Sequence, residues 1–455
     1  MVGFGPHARR IYYKYIEEEV VLGTFQFEIL IDIESKRDSI MDFLHNKVAQ
    51  PKQILLCQEK SYLAPTKMDK QVKDVLDLAI KKGRIKYAII ATEPKAHKTY
   101  IEYFLSKHIP VLTDKPLTAP VGSSYKKRSA RKIYTDALDL NKLSIETKTP
   151  LYVQAQRREH PAYVFLFNEI RKVVENFKIP ITFFNIYHSD GTWSMPSEYL
   201  TRENHPYKYG YGKLLHSGYH YVDLVAQIAE INRSIIPSLT ITNTTRLVQP
   251  HKHYHQINGV GLYKRLFGIQ TTSPGKMNFG EVDAFSQFIF KDKERREITY
   301  GHTDLLQSGF SRRSHFEISN DTYKGNGRVR HEYLNINIGP LMNIQLHSYQ
   351  ADEINKCPPI GVGSEDHLEV YIFRNDQLIG GKPFETFDFG EELRAGFSKQ
   401  ESYIGQNEVA RHIIFKQFLN NEPSRALIAN QVLTNAILSS MLHSAITGRS
   451  AQSRI

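Results

Sequence analysis

Near the start of the chain, Gly3-Phe4-Gly5-Pro6-His7-Ala8 fits the pattern G-x-G-x-x-G/A. Small residues at these positions let the backbone approach a pyrophosphate, and a helix expected over about residues 6–18 would turn its N-terminus to the anion. Asp32 closes the next apolar run, with Ile33 after it. A carboxylate at that point can accept hydrogen bonds from ribose hydroxyls, which favours NAD. Ser35-Lys36-Arg37 follow and could hold a 2′-phosphate, so NADP stays open behind NAD. The plain alternative for the turn is an ordinary pair of loop glycines. Only Met1 and Val2 precede Gly3, fewer residues than the ~5–6 of a usual strand. Either the first strand is very short or residues ahead of Met1 complete it.

The histidines suggest other chemistry. His216 and His220 stand four apart, a metal-ligand spacing on a helix, but no third ligand is evident nearby. His251-x-His253-x-His255 would put three imidazoles on one face of a strand, able to hold a metal or an anion. A polar loop is the simpler reading, and no metal is expected.

These residues need elements to position them. Residues 26–33 read as a buried strand, 69–83 as a helix stopped by Gly83, 86–91 as a strand and 95–107 as a helix. Strands at 109–112 and 151–155 flank a helix at about 124–142. This alternation predicts an α/β domain with a parallel sheet. After a helix at about 161–177, β-type runs dominate: 180–188, 237–247, 281–291, 296–301, 314–318, 328–338, 341–349 and 367–374. Helices at about 407–420 and 424–447 close the chain. The expectation is a nucleotide-binding domain over 1–153, then an α+β domain over 154–455 with a large, mainly antiparallel sheet.

Length, composition and charge narrow the function classes. The 455 residues are 41% hydrophobic and 24% charged, with a mean hydropathy of −0.42. This excludes a mainly disordered or fibrous chain, and no run suits a membrane span. Cys57 and Cys357 alone cannot build a disulfide scaffold or a four-cysteine zinc site, so a cytoplasmic-type compartment is expected. The net charge of +11 is spread along the chain. Its densest run, Lys126, Lys127, Arg128, Arg131 and Lys132, reads as the solvated start of a helix. No motif supports a nucleic-acid partner.

Further along, Ala91-Thr92-Glu93-Pro94-Lys95-Ala96-His97 ends one strand, and Thr113-Asp114-Lys115-Pro116-Leu117 ends the next. Gln156-Arg157-Arg158-Glu159-His160-Pro161-Ala162-Tyr163 lies at the expected junction. Gly210-Tyr211-Gly212-Lys213-Leu214-Leu215-His216-Ser217-Gly218-Tyr219-His220-Tyr221-Val222-Asp223 follows. In this order the four segments resemble the glucose–fructose oxidoreductase/inositol dehydrogenase/MocA (Gfo/Idh/MocA) family. That family carries A-T-P-x-x-x-H, E-K-P, R-R-x-x-P-x-Y and G-G-G-x-L-x-D-x-G-x-H-x-x-D. The resemblance is clear over residues 1–230; residues 235–400 match no motif.

The resemblance implies a Rossmann-type domain, NAD or NADP, and hydride transfer to or from a small polar substrate, sugar-like or anionic. Lys115 and His220 would handle the proton. Gly3, Phe4, Gly5, Pro6, His7, Ala8, Asp32, Ile33, Lys36, Arg37, Ala91, Thr92, Glu93, Pro94, His97, Asp114 and Lys115 would surround the cofactor. Arg157, Trp193 and Tyr219 would face the substrate. His216 stands where the family has Asp, and it joins the catalytic candidates. Imidazole cannot supply that negative charge, so a non-catalytic sensor or scaffold is the alternative. A homo-oligomer joined through the second sheet is expected.

Overall fold

In the computed structural model, the short apolar runs of the first part become parallel strands: β1 (Ile29–Ile33), β2 (Gln53–Cys57), β3 (Ala88–Ile90), β4 (Val111–Thr113) and β5 (Leu151–Val153). The structure describes residues 1–62, 68–203, 206–268, 270–276, 278–309, 329–351, 367–390, 393 and 406–454. Cys357 and the expected strand at 314–318 lie outside the described residues. Two compact units are seen. The first comprises Met1–Pro120, Ile133–Glu159 and Asn407–Val432; the second comprises Val121–Lys132, His160–Gln406 and Leu433–Ile455.

In the first unit, Val2 joins the strand groups by parallel bridges to Ile31 and Ile90. Its N–H donates to Ile89 O and its C=O accepts from Ala91 N–H, both at 2.8 Å. Counting Val2 as a strand, the order is β2-β1-Val2-β3-β4-β5, the 3-2-1-4-5-6 order of a dinucleotide-binding sheet. The first strand is thus a single bridging residue. On the N-terminal side of Val2, residues 26–29 and 83–89 line a cavity of about 380 Å³. The Met1 ammonium donates to Ile29 O at 2.7 Å, and burial lowers its pKa to about 5.

The expected helix over 6–18 is two helices, Pro6–Arg10 and Tyr12–Val21. The break falls at Ile11-Tyr12-Tyr13, each no more than 1% exposed. Three consecutive buried residues cannot share one face of a straight helix. Asp69 caps the helix Lys70–Lys81 by accepting from Gln71 N–H and Val72 N–H. Residues 407–432 fall in the first unit because Val153 N–H donates to Ala426 O at 2.9 Å and Leu427 bridges Tyr152. The segment therefore adds to the free edge of β5.

Among the described residues, the second unit is built on nine strands: β6 (Phe183–Ser189), β7 (Thr240–Val248), β8 (Asp283–Lys291), β9 (Glu297–Leu306), β10 (Val329–Ile338), β11 (Met342–Ala351), β12 (His367–Arg374), β13 (Phe384–Asp388) and β14 (Ala451–Arg454). Their order is β13-β12-β11-β10-β6-β9-β8-β7-β14, antiparallel except for the β6–β9 pair. Burial alternates along β8–β12, so one face is sealed and the other half-open. Asn232, on the helix Tyr219–Arg233, accepts from Ile181 N–H at 2.8 Å and donates to Thr299 Oγ1 at 2.8 Å. On the helix Val432–Thr447, Ser444 Oγ accepts from Thr245 N–H at 3.0 Å. These bonds fix both helices on the sealed face.

Candidate active site

In the first unit, the glycine turn is set by backbone sterics. Gly3 has φ +89°, and a Cβ there would lie 2.6 Å from the Ala91 carbonyl and Thr92 nitrogen. Only glycine fits. A Cβ on Gly5 would meet nothing within 4 Å, so the turn keeps an open side. Pro6 starts the short helix, Ala8 is buried, and the Phe4 ring packs edge-on against Tyr13 and Phe43.

Asp32 reaches back to this turn. Its Oδ2 accepts from Phe4 N–H and its Oδ1 from Ile33 N–H, both at 2.7 Å. Burial raises its pKa against the opposing pull of the two amides and of Arg9 and Lys36. Arg37 lies on the surface, where its guanidinium grips Glu34 with bonds of 2.6 and 3.0 Å.

The two motif loops after β3 and β4 are joined by His97. Its Nε2 is 2.9 Å from Thr92 O, and its Nδ1 is 3.1 Å from Pro116 O and 3.2 Å from Leu117 O. Burial lowers its pKa. Glu93 and Pro94 form the start of the helix Pro94–Ser106. Asp114 N–H donates to Ile90 O, and Asp114 Oδ1 accepts from Lys115 N–H, both at 2.9 Å. His7 Nε2 is 3.3 Å from Asp114 Oδ2. Burial alone would raise the Asp114 pKa, but His7, Lys115 and Arg411 hold it below the usual carboxylate range. Lys115 is half-buried, and Arg157 is buried in the turn Gln156–Arg158.

In the second unit, the glycine-rich motif is a close-packed turn. A Cβ on Gly212 would meet Glu281 backbone at 2.2 Å, and one on Gly218 would meet Lys213 O at 2.5 Å. His220 is buried in the first turn of the helix, its N–H donating to Ser217 O at 3.2 Å. His216 lies before the helix, so the two histidines do not form a helical i,i+4 pair. Its ring meets Tyr207 edge-on at 5.8 Å. Tyr219 is fully buried, its hydroxyl accepting from Asn435 at 3.1 Å. Asp223 accepts from Thr434 Oγ1 at 2.6 Å. Trp193 Nε1 donates to Tyr263 OH at 3.0 Å. His251, His253 and His255 lie on the helix Pro250–Gln256, not on a strand, because Pro250 starts a helix. They therefore do not share one face.

Sequence reasoning passed over one cluster. Lys213 Nζ is buried 2.7 Å from His188 Nδ1 and 2.6 Å from Asp190 Oδ2. Asp190 Oδ2 also accepts from Ser217 Oγ at 2.5 Å, and His188 stacks on Tyr221 at 4.3 Å. Glu281 accepts from Leu214 N–H at 2.8 Å and from Ser124 Oγ at 2.6 Å. The motif turn is thus tied down by buried ionic groups. The available signal was a lysine enclosed by motif glycines and a leucine pair.

Residues 31–129 match the family model GFO_IDH_MocA, described as an oxidoreductase family with an NAD-binding Rossmann fold. Among solved structures, the chain is similar to levoglucosan dehydrogenase in complex with NADH and levoglucosan. The identity is 12% and the TM-score 0.57, with 99% of this chain and 97% of that one covered. An oxidoreductase domain protein from Kribbella flavida gives 12% identity and TM-score 0.56, covering 99% and 97%. The WlbA dehydrogenase from Bordetella pertussis, in complex with NADH and UDP-GlcNAcA, gives 10% identity and TM-score 0.53, covering 100% and 98%. A search of the curated proteins found no match. At these identities the structures speak for the fold alone, and the family model speaks for residues 31–129. Residues 31–129, with Asp32 among them, thus match the NAD-binding Rossmann domain of the Gfo/Idh/MocA oxidoreductases, and the chain as a whole shares the fold of these dehydrogenase structures.

Proposed function

We propose that the protein transfers a hydride between a nicotinamide cofactor and a small polar carbonyl or alcohol, sugar-like or anionic. The observation that carries this reading is the match of residues 31–129 to an NAD-binding oxidoreductase family. The turn fits the cofactor: Gly3 admits no side chain, and Gly5 leaves an open approach. Bound nicotinamide supplies or accepts the hydride. Lys115 and His220 handle the proton of the reacting oxygen, and His216 biases the site toward an anionic substrate group. NAD is preferred to NADP because the Asp32 carboxylate ends the strand after the turn, where it suits ribose hydroxyls, and the Arg37 guanidinium is already engaged by Glu34. The levoglucosan and UDP-GlcNAcA of the similar structures motivate a sugar-like substrate. Self-association through the second unit's half-open sheet face completes the reading. Among the described residues, no helix is long and apolar enough to cross a membrane.

Fluorescence titration with NADH and NADPH tests the cofactor, followed by a screen of sugars and sugar acids. NADH should bind at least tenfold tighter. With an identified substrate, the Lys115→Ala, His220→Ala double variant should lose at least 10³-fold in kcat, in line with removal of general acid–base groups. Turnover at the wild-type rate would remove both residues from the mechanism. A sensor that keeps the fold is the alternative, motivated by His216 and by the divergent sheet region over 235–400; it predicts NADH binding without turnover on any screened substrate.

A further inference from the structure

The glycine turn holds one titratable side chain, His7. Its Nε2 stands 3.3 Å from Asp114 Oδ2, and Lys115 follows Asp114 directly. The charged groups that face it are Asp114 and Lys115 from the loop after β4, Arg10 from its own short helix, and Arg411 from the helix Gln406–Leu419. The Tyr12 ring meets it edge-on at 5.9 Å. Asp114 is in turn shared with His97 and Tyr12. Glu408 accepts from Arg10 at 2.6 Å and from Arg411 at 3.0 Å, so these cations already have a carboxylate. Gly5, two residues before His7, opens to free space.

Burial, reinforced by Arg411, Arg10 and Lys115 and opposed by Asp114, lowers the His7 pKa to about 4. The free protein therefore carries a neutral imidazole at pH 7. A diphosphate brought to the same turn favours the charged form.

We propose that His7 is a proton-linked cofactor-binding residue: it takes up a proton from solvent when an anionic dinucleotide settles on the Gly3–Ala8 turn, and its imidazolium offsets phosphate charge while staying beside Asp114. This rests on the dinucleotide reading above. Binding and protonation are then reciprocal, so acid strengthens binding and binding strengthens the base. A His7 that only filled space would show neither effect.

The test is calorimetric titration of the full chain with NADH at pH 5.5, in acetate and in MES, whose ionisation enthalpies differ. The expected wild-type result is uptake of roughly half a proton or more at pH 5.5, falling to near zero at pH 8. Kd should weaken as pH rises from 5 to 7, by at most about tenfold per unit. His7→Phe should bind NADH with uptake near zero and a flat pH profile. His7→Gln should do the same, and it serves where the phenylalanine variant fails to fold. Wild-type binding without proton uptake would overturn the proposal. So would uptake persisting in both variants, since Asp32 or Asp114 would then be the proton acceptor. Failure of wild type to bind NADH or NADPH at any pH would instead overturn the dinucleotide reading, and this inference with it.

Discussion

The first unit positions its chemistry with the main chain. Gly3 is seated against Ala91 and Thr92, Asp32 accepts two backbone amides, and His97 faces three backbone carbonyls. The second unit positions the turn before His220 with side chains: Lys213, His188, Asp190 and Ser217 hold one another in the interior. A main-chain site needs small residues at fixed spacing and tolerates change around them. A buried ionic site needs each partner, because removing one leaves the other charged and desolvated.

Variants can break or sharpen that contrast. Lys213→Met should have the largest effect, about 3–5 kcal/mol lost in chemical denaturation, as Asp190 is left without its cation. Lys213→Met with Asp190→Leu should recover most of that loss. A single variant costing under about 1 kcal/mol would end the contrast. Gly3→Ala comes next, at roughly 2–4 kcal/mol, since the new Cβ meets backbone and φ is positive.

The pH profile gives a smaller signal. His7 binds its proton more readily in the unfolded chain than in the fold, where its pKa is about 4. Stability contributed by the neutral ring is therefore full above about pH 6.5 and falls as pH drops toward 4, by roughly 1–3 kcal/mol. His7→Phe should flatten that part of a urea-denaturation series. Smallest of all, Arg37→Ala should move stability by no more than about 0.5 kcal/mol, because its pair with Glu34 is exposed.

Much of the fold was legible where local signals agree. The helix Pro161–Phe177 matches its expected bounds, and β7–β12 lie near the runs that suggested them. β2, β13, β14 and the two helices over 250–267 gave too little periodicity to be seen. Tyr219, expected at the substrate, instead lies in the core against Asn435, since an aromatic beside a motif has no intrinsic direction. Asp223, the acid that closes the glycine-rich motif, is a buried tie to Thr434.

The amino-acid order alone determined the alternating α/β start, the glycine pair of the first turn and the acid near the end of the next strand. These depend on local backbone sterics and on spacing within one strand–turn–helix. Only the tertiary structure decided that Val2 is a one-residue strand between β1 and β3, that His7 meets Asp114, and that Lys213 is interior beside Asp190. Each of those facts pairs residues more than twenty positions apart, and such contacts follow from how strands order in a sheet, which composition and periodicity do not encode.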